Sequence, residues 1–488
     1  MKLYDVMADI AGAKITGTPE TEIKGIAYSS LQVSDGFLFA AFKGEKADGN
    51  DFIDDALSKG ASAVLSENPA PNGFTTPWIQ AEDAREVLAF CAANFYGHPS
   101  REMKTVGITG TKGKTTISYL LESICSQAGF KPGVIGTISY RGPGLKIEAK
   151  RTTPEAPDLQ EMMNIMRKNG GTHCLLEVSS HSLDFKRVEG IGFDVAVFTN
   201  LSGEHMDYHQ NMDIYFEAKK RLFFIGEKNR IAVVNTDDPW GEKLKSILSF
   251  EVISYGLNST AMVQAEKYSY QDDGIQMQVK FPAGTMTLIS PLLGRPNVYN
   301  ILAAVSAAIS LDIPIPQIEE GVRALKGIPG RFQRVENDRD FKIFVDYAHT
   351  DDALKNLLET ANDLNPRRTI VVFGAGGDRD KSKRFRMGEV AGRLADWSII
   401  TSDNPRSEDP LAIISEIERG IQKTGHNSYE IIPDRREAIS KALEIGEKDD
   451  CILIAGKGHE NYQIIKETVT SFDDVLVVKD LLETRENT

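Results

Sequence analysis

Residues 105–109, Thr-Val-Gly-Ile-Thr, form an apolar run that meets a glycine-rich turn and then an amphipathic stretch. That order predicts a buried strand at 105–109 and a helix at 115–128. Gly110, Thr111, Lys112, Gly113, Lys114, Thr115 and Thr116 fill the junction. A strand feeding a helix through a tight turn belongs in an α/β fold with a mostly parallel sheet. The glycines let backbone N–H groups turn toward one point, where the helix start adds partial positive charge. Lys114 would reach β- and γ-phosphate oxygens, and the Thr115 hydroxyl would meet Mg²⁺. The strict eight-residue phosphate-loop pattern needs glycine five positions before Gly113, where Ile108 stands. The flanking strand and helix carry the reading instead. It is ATP or GTP binding, with the reaction unnamed.

The same alternation continues along the chain. Short strands at 23–28 and 36–42, a helix at 52–59, a strand at 63–65 and a helix at 84–95 predict a small α/β unit ending at Gly97-His98-Pro99. Further apolar strands follow at 174–178, 195–199 and 231–235. Residues 262–289 alternate with period two and predict antiparallel strands, and a helix follows at 298–310. After Pro329-Gly330-Arg331, strands at 343–345, 369–373, 398–401, 429–432 and 451–455 predict a doubly wound, Rossmann-like unit. The expected domains are 1–98, 99–328 and 329–488. A length of 488 residues suits three domains, each able to bury a core.

A net charge of −14 argues against a nucleic-acid partner, since phosphate-backbone binding needs clustered Lys and Arg. Cys91, Cys125, Cys174 and Cys451 form no CxxC pair and read as reduced core thiols. The start, MKLYDVMADIAG, lacks a signal-peptide pattern, and no apolar run is long enough to span a membrane. The expectation is a cytoplasmic protein without membrane insertion.

Nine motifs occur in order: TGTKGKTT (109–116), EVSSHSL (177–183), TNLSGEHMDYH (199–209), LLGRPNVYNILAA (292–304), PGRFQRV (329–335), VDYAHT (345–350), GDRDKSKR (377–384), SDNPRSE (402–408) and AGKGHE (455–460). Together they resemble the Mur ligase family, most closely its UDP-N-acetylmuramoyl-tripeptide synthetase branch, over about residues 23–475. The resemblance implies an N-terminal domain for a UDP-linked substrate, a central ATPase domain and a C-terminal amino-acid domain. The implied reaction is amide formation through an acyl phosphate, in peptidoglycan precursor synthesis and hence cell shape and division. It also implies a monomer.

By resemblance, Thr115 and Glu177 hold Mg²⁺, His205 helps hold a second ion, and His181 contacts the site directly or through a neighbour. A carboxylate ending a buried strand, as Glu177 does, is costly unless a cation meets it. Lys219 matches a lysine that CO₂ converts to a carbamate, able to meet Mg²⁺; Lys220 is adjacent, so a one-residue slip stays open. Arg331 adds positive charge at ATP across the domain gap. Asn297 and Asn300, on one helix face, fall near adenine, and Asp346 and His349 near ribose. Ser29, Glu45, Lys46, Ala47, Thr152, Thr153, Ser179 and Arg187 match UDP-substrate positions. Arg151, Phe185 and Lys112 depart from the family pattern.

DNPR bears on the amino acid added. Diaminopimelate differs from lysine by a distal carboxylate, which a planar guanidinium recognises with two parallel donors. By resemblance Asp403, Asn404, Pro405 and Arg406 form the selector loop, completed by Arg379, Gly456 and Glu460. The expected partners are therefore meso-2,6-diaminopimelate and UDP-N-acetylmuramoyl-L-alanyl-D-glutamate, with ATP and Mg²⁺. L-lysine as the added amino acid, a folylpolyglutamate-type or other Mur-type ligase, and an inactive nucleotide-binding scaffold remain the competing readings.

Overall fold

The computed structural model describes residues 1–44, 47–204, 206–226, 230–258, 260–271 and 274–486. It is a mixed α/β protein with mostly parallel sheets. It divides into two compact units: Met1–Gln264 with Lys280–Gly284 and Asn300–Gly321, and Ala265–Val279 with Thr285–Tyr299 and Val322–Thr488. No helix among the described residues is long and apolar enough to cross a membrane. The four cysteines are buried and free.

In the first unit, the N-terminal strands order as Ala13–Thr16, Trp78–Ala81, Ala63–Ser66, Phe37–Ala41, Gly25–Ala27. All neighbours are parallel except the first pair. The Ala84–Tyr96 helix covers this sheet with Val87, Leu88, Cys91 and Ala92. It starts where the Asp83 carboxylate accepts from the N–H groups of Arg85 and Glu86, and stops at left-handed Gly97.

A second sheet places Lys104–Thr109 between His173–Glu177 and Val195–Phe198. Its pairing is parallel and in register: Glu177 lies beside Ile108, and Phe198 beside Thr109. All three strands therefore end at one edge, where parallel α/β sheets expose their loops. The strands are buried on both faces, as apolar parallel strands require. Each fully buried Val, Leu or Ile contributes about 1.5–3 kcal/mol. An antiparallel section not anticipated from the sequence follows Pro132–Ile135, through Ser139–Gly142 to Leu145–Glu148. The expected period two appears in Gly274–Phe281, whose burial alternates strictly after its first residue.

In the second unit, Lys342–Asp346, Cys451–Ala455, Thr369–Phe373, Trp397–Ile400 and Tyr429–Ile431 form a parallel sheet in that order. Gln333–Val335 adds an antiparallel edge. The loops after these strands carry 346–350, 374–381, 401–406 and 456–460. A hairpin, Tyr462–Ile465 with Thr468–Ser471, lies outside the sheet and was not read from the sequence.

Candidate functional site

The first unit gathers its chemistry around the turn between Lys104–Thr109 and the Lys114–Gln127 helix. Gly110 and Gly113 take φ of 141° and 94°, values L side chains rarely adopt. A Cβ on Gly113 would also lie 2.4 Å from Asn300 Oδ1, which places that asparagine against the turn. The Thr111 hydroxyl accepts from the Ser202 N–H at 3.1 Å. Asn200 Oδ1 accepts from the Lys112 N–H at 2.9 Å, and the Lys112 ammonium pairs with Glu204 at 2.9 Å. Thr116 is buried in the first helical turn.

Two lysines converge on one carbonyl. Lys114 Nζ donates to Gly110 O at 2.8 Å and to Thr111 O at 3.0 Å, and Lys219 Nζ donates to Gly110 O at 2.9 Å. Lys219 projects inward from the Met212–Lys220 helix and is 1% exposed. Lys220 instead pairs with Glu217 on its own helix. Burial, and then the positive charge of Lys114, push the Lys219 ammonium well below the usual lysine range. The shift makes it easier for this nitrogen to give up its proton.

Glu177 is 1% exposed. Its carboxylate accepts from the hydroxyls of Thr115 at 2.9 Å, Thr137 at 2.8 Å and Ser118 at 3.4 Å, and from the Thr137 N–H at 3.3 Å. These donors are all neutral. A buried carboxylate beside hydroxyl oxygens is the donor set a hard divalent cation takes, so Thr115 and Glu177 fit Mg²⁺. A Cβ on Gly136 would fall 2.2 Å from Glu177 Oε1, so only glycine lets the carboxylate lie there. The sequence reading missed Gly136, Thr137 and Ser118. Ser118 stands one helical turn after Thr115 and was findable on that spacing; the other two follow the unread Pro132–Ile135 strand. His205, Glu45 and Lys46 lie outside the described residues. Ala47 is exposed and accepts at its carbonyl from the Gly44 N–H at 2.9 Å. His181 stacks against Tyr208 with ring centroids 4.2 Å apart.

Several substrate candidates lie close to Glu177. Thr152 and Thr137 hydroxyls are 3.1 Å apart. The Thr153 hydroxyl donates to Glu177 O at 2.8 Å and accepts from the Ser179 N–H at 3.1 Å. Arg187 Nη1 donates to Thr153 O at 3.2 Å, and its Nε lies 2.9 Å from Glu155. Arg151 pairs with the same carboxylate at 2.6 Å, and Arg85, unremarked in the sequence, lies 3.7 Å from it. The guanidinium groups of Arg85 and Arg187 both lie over the Phe185 ring, 4.7 and 5.3 Å from its centroid. Ser29 follows the Gly25–Ala27 strand and is half-buried.

In the second unit, Asp346 ends a strand and accepts from the Phe332 N–H at 2.6 Å. Arg331 stacks 5.0 Å above the Tyr347 ring, and His349 Nδ1 lies 2.8 Å from Tyr347 O. Asn297 donates to Leu293 O at 2.7 Å, bracing the start of the Arg295–Ser310 helix. Asp403, Asn404 and Pro405 are buried, while Arg406 is half-buried at φ 52°. Arg406 Nη1 donates to Gly377 O at 2.6 Å, and the Gly377 N–H donates to Asn404 O at 2.9 Å. Asn404 Nδ2 donates to Glu460 Oε2 at 2.8 Å. Burial and the neighbouring Asp403 raise the Glu460 carboxyl above its usual range. Arg379 donates to Asp378 O at 3.3 Å. Gly456 carries Asp403 beside it, with Asp403 Oδ2 only 2.4 Å from the position of a Cβ. The structure thus brings 377, 403–406, 456 and 460 together, and adds Lys457 and Gln463, which the sequence reading did not single out.

The chain matches the Mur ligase family, catalytic domain, over residues 22–96, the Mur ligase middle domain over 108–308, and the Mur ligase, glutamate ligase domain over 330–458. It is 44% identical over 466 residues to the UDP-N-acetylmuramoyl-L-alanyl-D-glutamate--2,6-diaminopimelate ligase of Solibacter usitatus, covering 95% of this chain and 94% of that one. The protein of the same name from Syntrophomonas wolfei is 42% identical over 484 residues, 99% of each chain. A solved structure of a UDP-N-acetylmuramoyl-L-alanyl-D-glutamate--2,6-diaminopimelate ligase is 33% identical, covers 100% of both chains and superposes with a TM-score of 0.73. The MurF ligase of Thermotoga maritima, solved with ADP, shares the fold at 19% identity, with 96% and 99% coverage and a TM-score of 0.64. Near-full-length relatives and three successive domain matches agree with the ordered motifs and the geometry above: the chain belongs to the Mur ligase family.

Proposed function

We propose that this protein joins meso-2,6-diaminopimelate to the D-glutamate carboxylate of UDP-N-acetylmuramoyl-L-alanyl-D-glutamate, using ATP, in the cytoplasmic assembly of peptidoglycan precursors. The observation that carries the reading is the conjunction of the 110–116 turn with the 403–406 loop in a chain 39–44% identical to relatives named for this reaction. The proposed division of labour is 1–98 for the UDP substrate, 99–328 for ATP and 329–488 for the amino acid.

The turn amides and the start of the Lys114–Gln127 helix receive the triphosphate. Lys114 exchanges the carbonyls of Gly110 and Thr111 for phosphate oxygens, and Gly110, Thr111, Lys112, Gly113, Thr115 and Thr116 line the loop. Thr115, Glu177, His205 and carbamylated Lys219 would hold Mg²⁺, which supplies positive charge where two anions meet. A Lys219 side chain that has given up its proton is suited to the modification. Its nitrogen lone pair forms a bond to the carbon of CO₂, one C–O electron pair moves onto oxygen, and the amine proton leaves to solvent. Arg331, Asn297, Asn300, Asp346 and His349 are assigned to the nucleotide. Ser29, Glu45, Lys46, Ala47, Thr152, Thr153, Ser179 and Arg187 are assigned to the UDP substrate.

A carboxylate oxygen of the D-glutamate then attacks the γ-phosphorus, and ADP leaves. The diaminopimelate amine attacks the acyl carbon, and phosphate leaves with the former carboxylate oxygen. Arg406 and Asn404 suit the distal carboxylate, while Asp403 and Glu460 suit the distal ammonium, with Arg379 and Gly456 completing the pocket. The test supplies the UDP-muramoyl dipeptide, ATP and Mg²⁺ with meso-diaminopimelate or L-lysine in parallel and measures phosphate and the new amide. Diaminopimelate-dependent turnover is expected. Preference for lysine defeats the diaminopimelate assignment, and no ADP with either defeats the ligase.

A further inference from the structure

The 403–406 loop is held by groups for which the proposed reaction has no use. Lys457 is completely buried. Its ammonium has three acceptors: Asn404 Oδ1 at 3.5 Å in the 403–406 loop and, within its own 457–462 segment, Glu460 Oε2 at 3.4 Å and the main-chain oxygen of Tyr462 at the start of the hairpin. Gln463, also buried, donates its amide to the main-chain oxygen of Asp403 at 2.8 Å. The Ile464 N–H donates to Asn404 Oδ1 at 2.9 Å. The hairpin also grips Arg406 from both sides. Arg406 N–H donates to Ile464 O at 3.1 Å, and Lys466 N–H donates to Arg406 O at 2.6 Å.

Each of Asp403, Asn404 and Arg406 is therefore bonded to residues 462–466. The need for such support is physical. Arg406 sits at φ 52°, a conformation unfavourable for a long side chain, and persists only where its surroundings over-determine it. A buried ammonium is equally costly unless acceptors surround it, so Lys457 stays only while the 403–406 loop remains packed on the 457–462 segment.

We infer that the hairpin Tyr462–Ile465/Thr468–Ser471, locked by Lys457 and Gln463, sets the shape of the 403–406 loop and thereby the choice of amino acid. Lys457 and Gln463 are positioning residues: they act through Asp403, Asn404 and Glu460. This inference rests on the proposed reading of that loop as the amino-acid selector. Removing a bond to a charged group changes an equilibrium by about tenfold or more, and a neutral bond by about threefold to tenfold.

The experiment uses the full chain and compares wild type, Lys457→Met and Gln463→Ala, each with meso-diaminopimelate and L-lysine. The KM for the preferred amino acid is expected to rise about tenfold in Lys457→Met and about threefold in Gln463→Ala, with the KM for ATP held within about twofold. The ratio of kcat/KM between the two amino acids should fall in both, which a merely structural loss would leave unchanged. Lys457→Met counts only if it melts cooperatively; Gln463→Ala decides in either case. A folded Gln463→Ala with wild-type KM and ratio overturns the inference, as does an equal rise in the KM for ATP. Each variant is scored against the wild type's own preferred amino acid. A lysine-preferring wild type therefore sinks the diaminopimelate assignment without deciding this inference.

Discussion

At the turn proposed to receive phosphate, eight consecutive residues bring their own strand end, their own positive-φ glycines and their own helix start. At the proposed selector loop, 403–406, four residues bring almost nothing of their own. Their shape depends on Gly377, on Lys457 and Glu460, and on a hairpin some 60 residues later in the chain. The first arrangement takes its turn from its own dihedrals, and Asn200, Ser202 and Lys219 then bond onto it. The second exists only after the sheet of the second unit has closed. Under the proposed function, a site of the first kind sets the class of chemistry and a site of the second kind sets the substrate.

The sharpest way to break this contrast is at the turn itself. Lys114→Met should lower ADP formation by about 10²–10³-fold with little change in folding, since it removes a charge needed as two anions approach. Initial rates and a melting curve check it; a loss below tenfold would mean the turn is not the phosphate site. Arg406→Gly should weaken diaminopimelate by about 10- to 100-fold, leave the KM for ATP unchanged, and hold or raise stability by relieving φ 52°. Equal loss for both substrates would erase the distinction between the sites. Gly113→Ala should cost about 1–3 kcal/mol of stability, because φ 94° and Asn300 Oδ1 both oppose a methyl group. Chemical denaturation measures it.

The smallest effect compares one histidine in each unit. Burial pushes both His173 and His459 down to about 4, for His459 with help from Arg331 and His349. The unfolded chain takes up protons below about 6.5 that the folded chain refuses until about 4. Stability is thus full above that window and falls as pH drops from about 6.5 to 4, by on the order of 1–3 kcal/mol per group. His173→Asn and His459→Asn should each flatten this slope. Denaturation midpoints at pH 7 and pH 4.5 that shift as in wild type would contradict the assignment.

Much of the fold was legible because periodicity is local. The strands at 105–109, 174–178, 195–199 and 369–373 are continuous apolar runs, and a parallel sheet buried on both faces demands such runs. The Ser139–Gly142 and Leu145–Glu148 strands escaped notice because SYRG and LKIE are short and half-exposed, the second at the edge of the sheet. Likewise YQII and TVTS gave no sign of gripping a distant loop. Lys219 and Lys220 look alike in sequence; which of them is buried follows from the face of the helix that packs inward.

The amino-acid order alone determined the strand–turn–helix junction, the α/β alternation and the residue types able to meet a triphosphate, because dihedral preference and hydrophobic period act over a few residues. Tertiary structure decided that Thr137, Ser118 and Gly136 surround Glu177, that two lysines share the Gly110 carbonyl, and that Lys457 ties the 403–406 loop to the start of the hairpin. Those arrangements need hydrogen bonds between residues far apart in the chain, and such bonds take their distances and angles only when the whole sheet has formed.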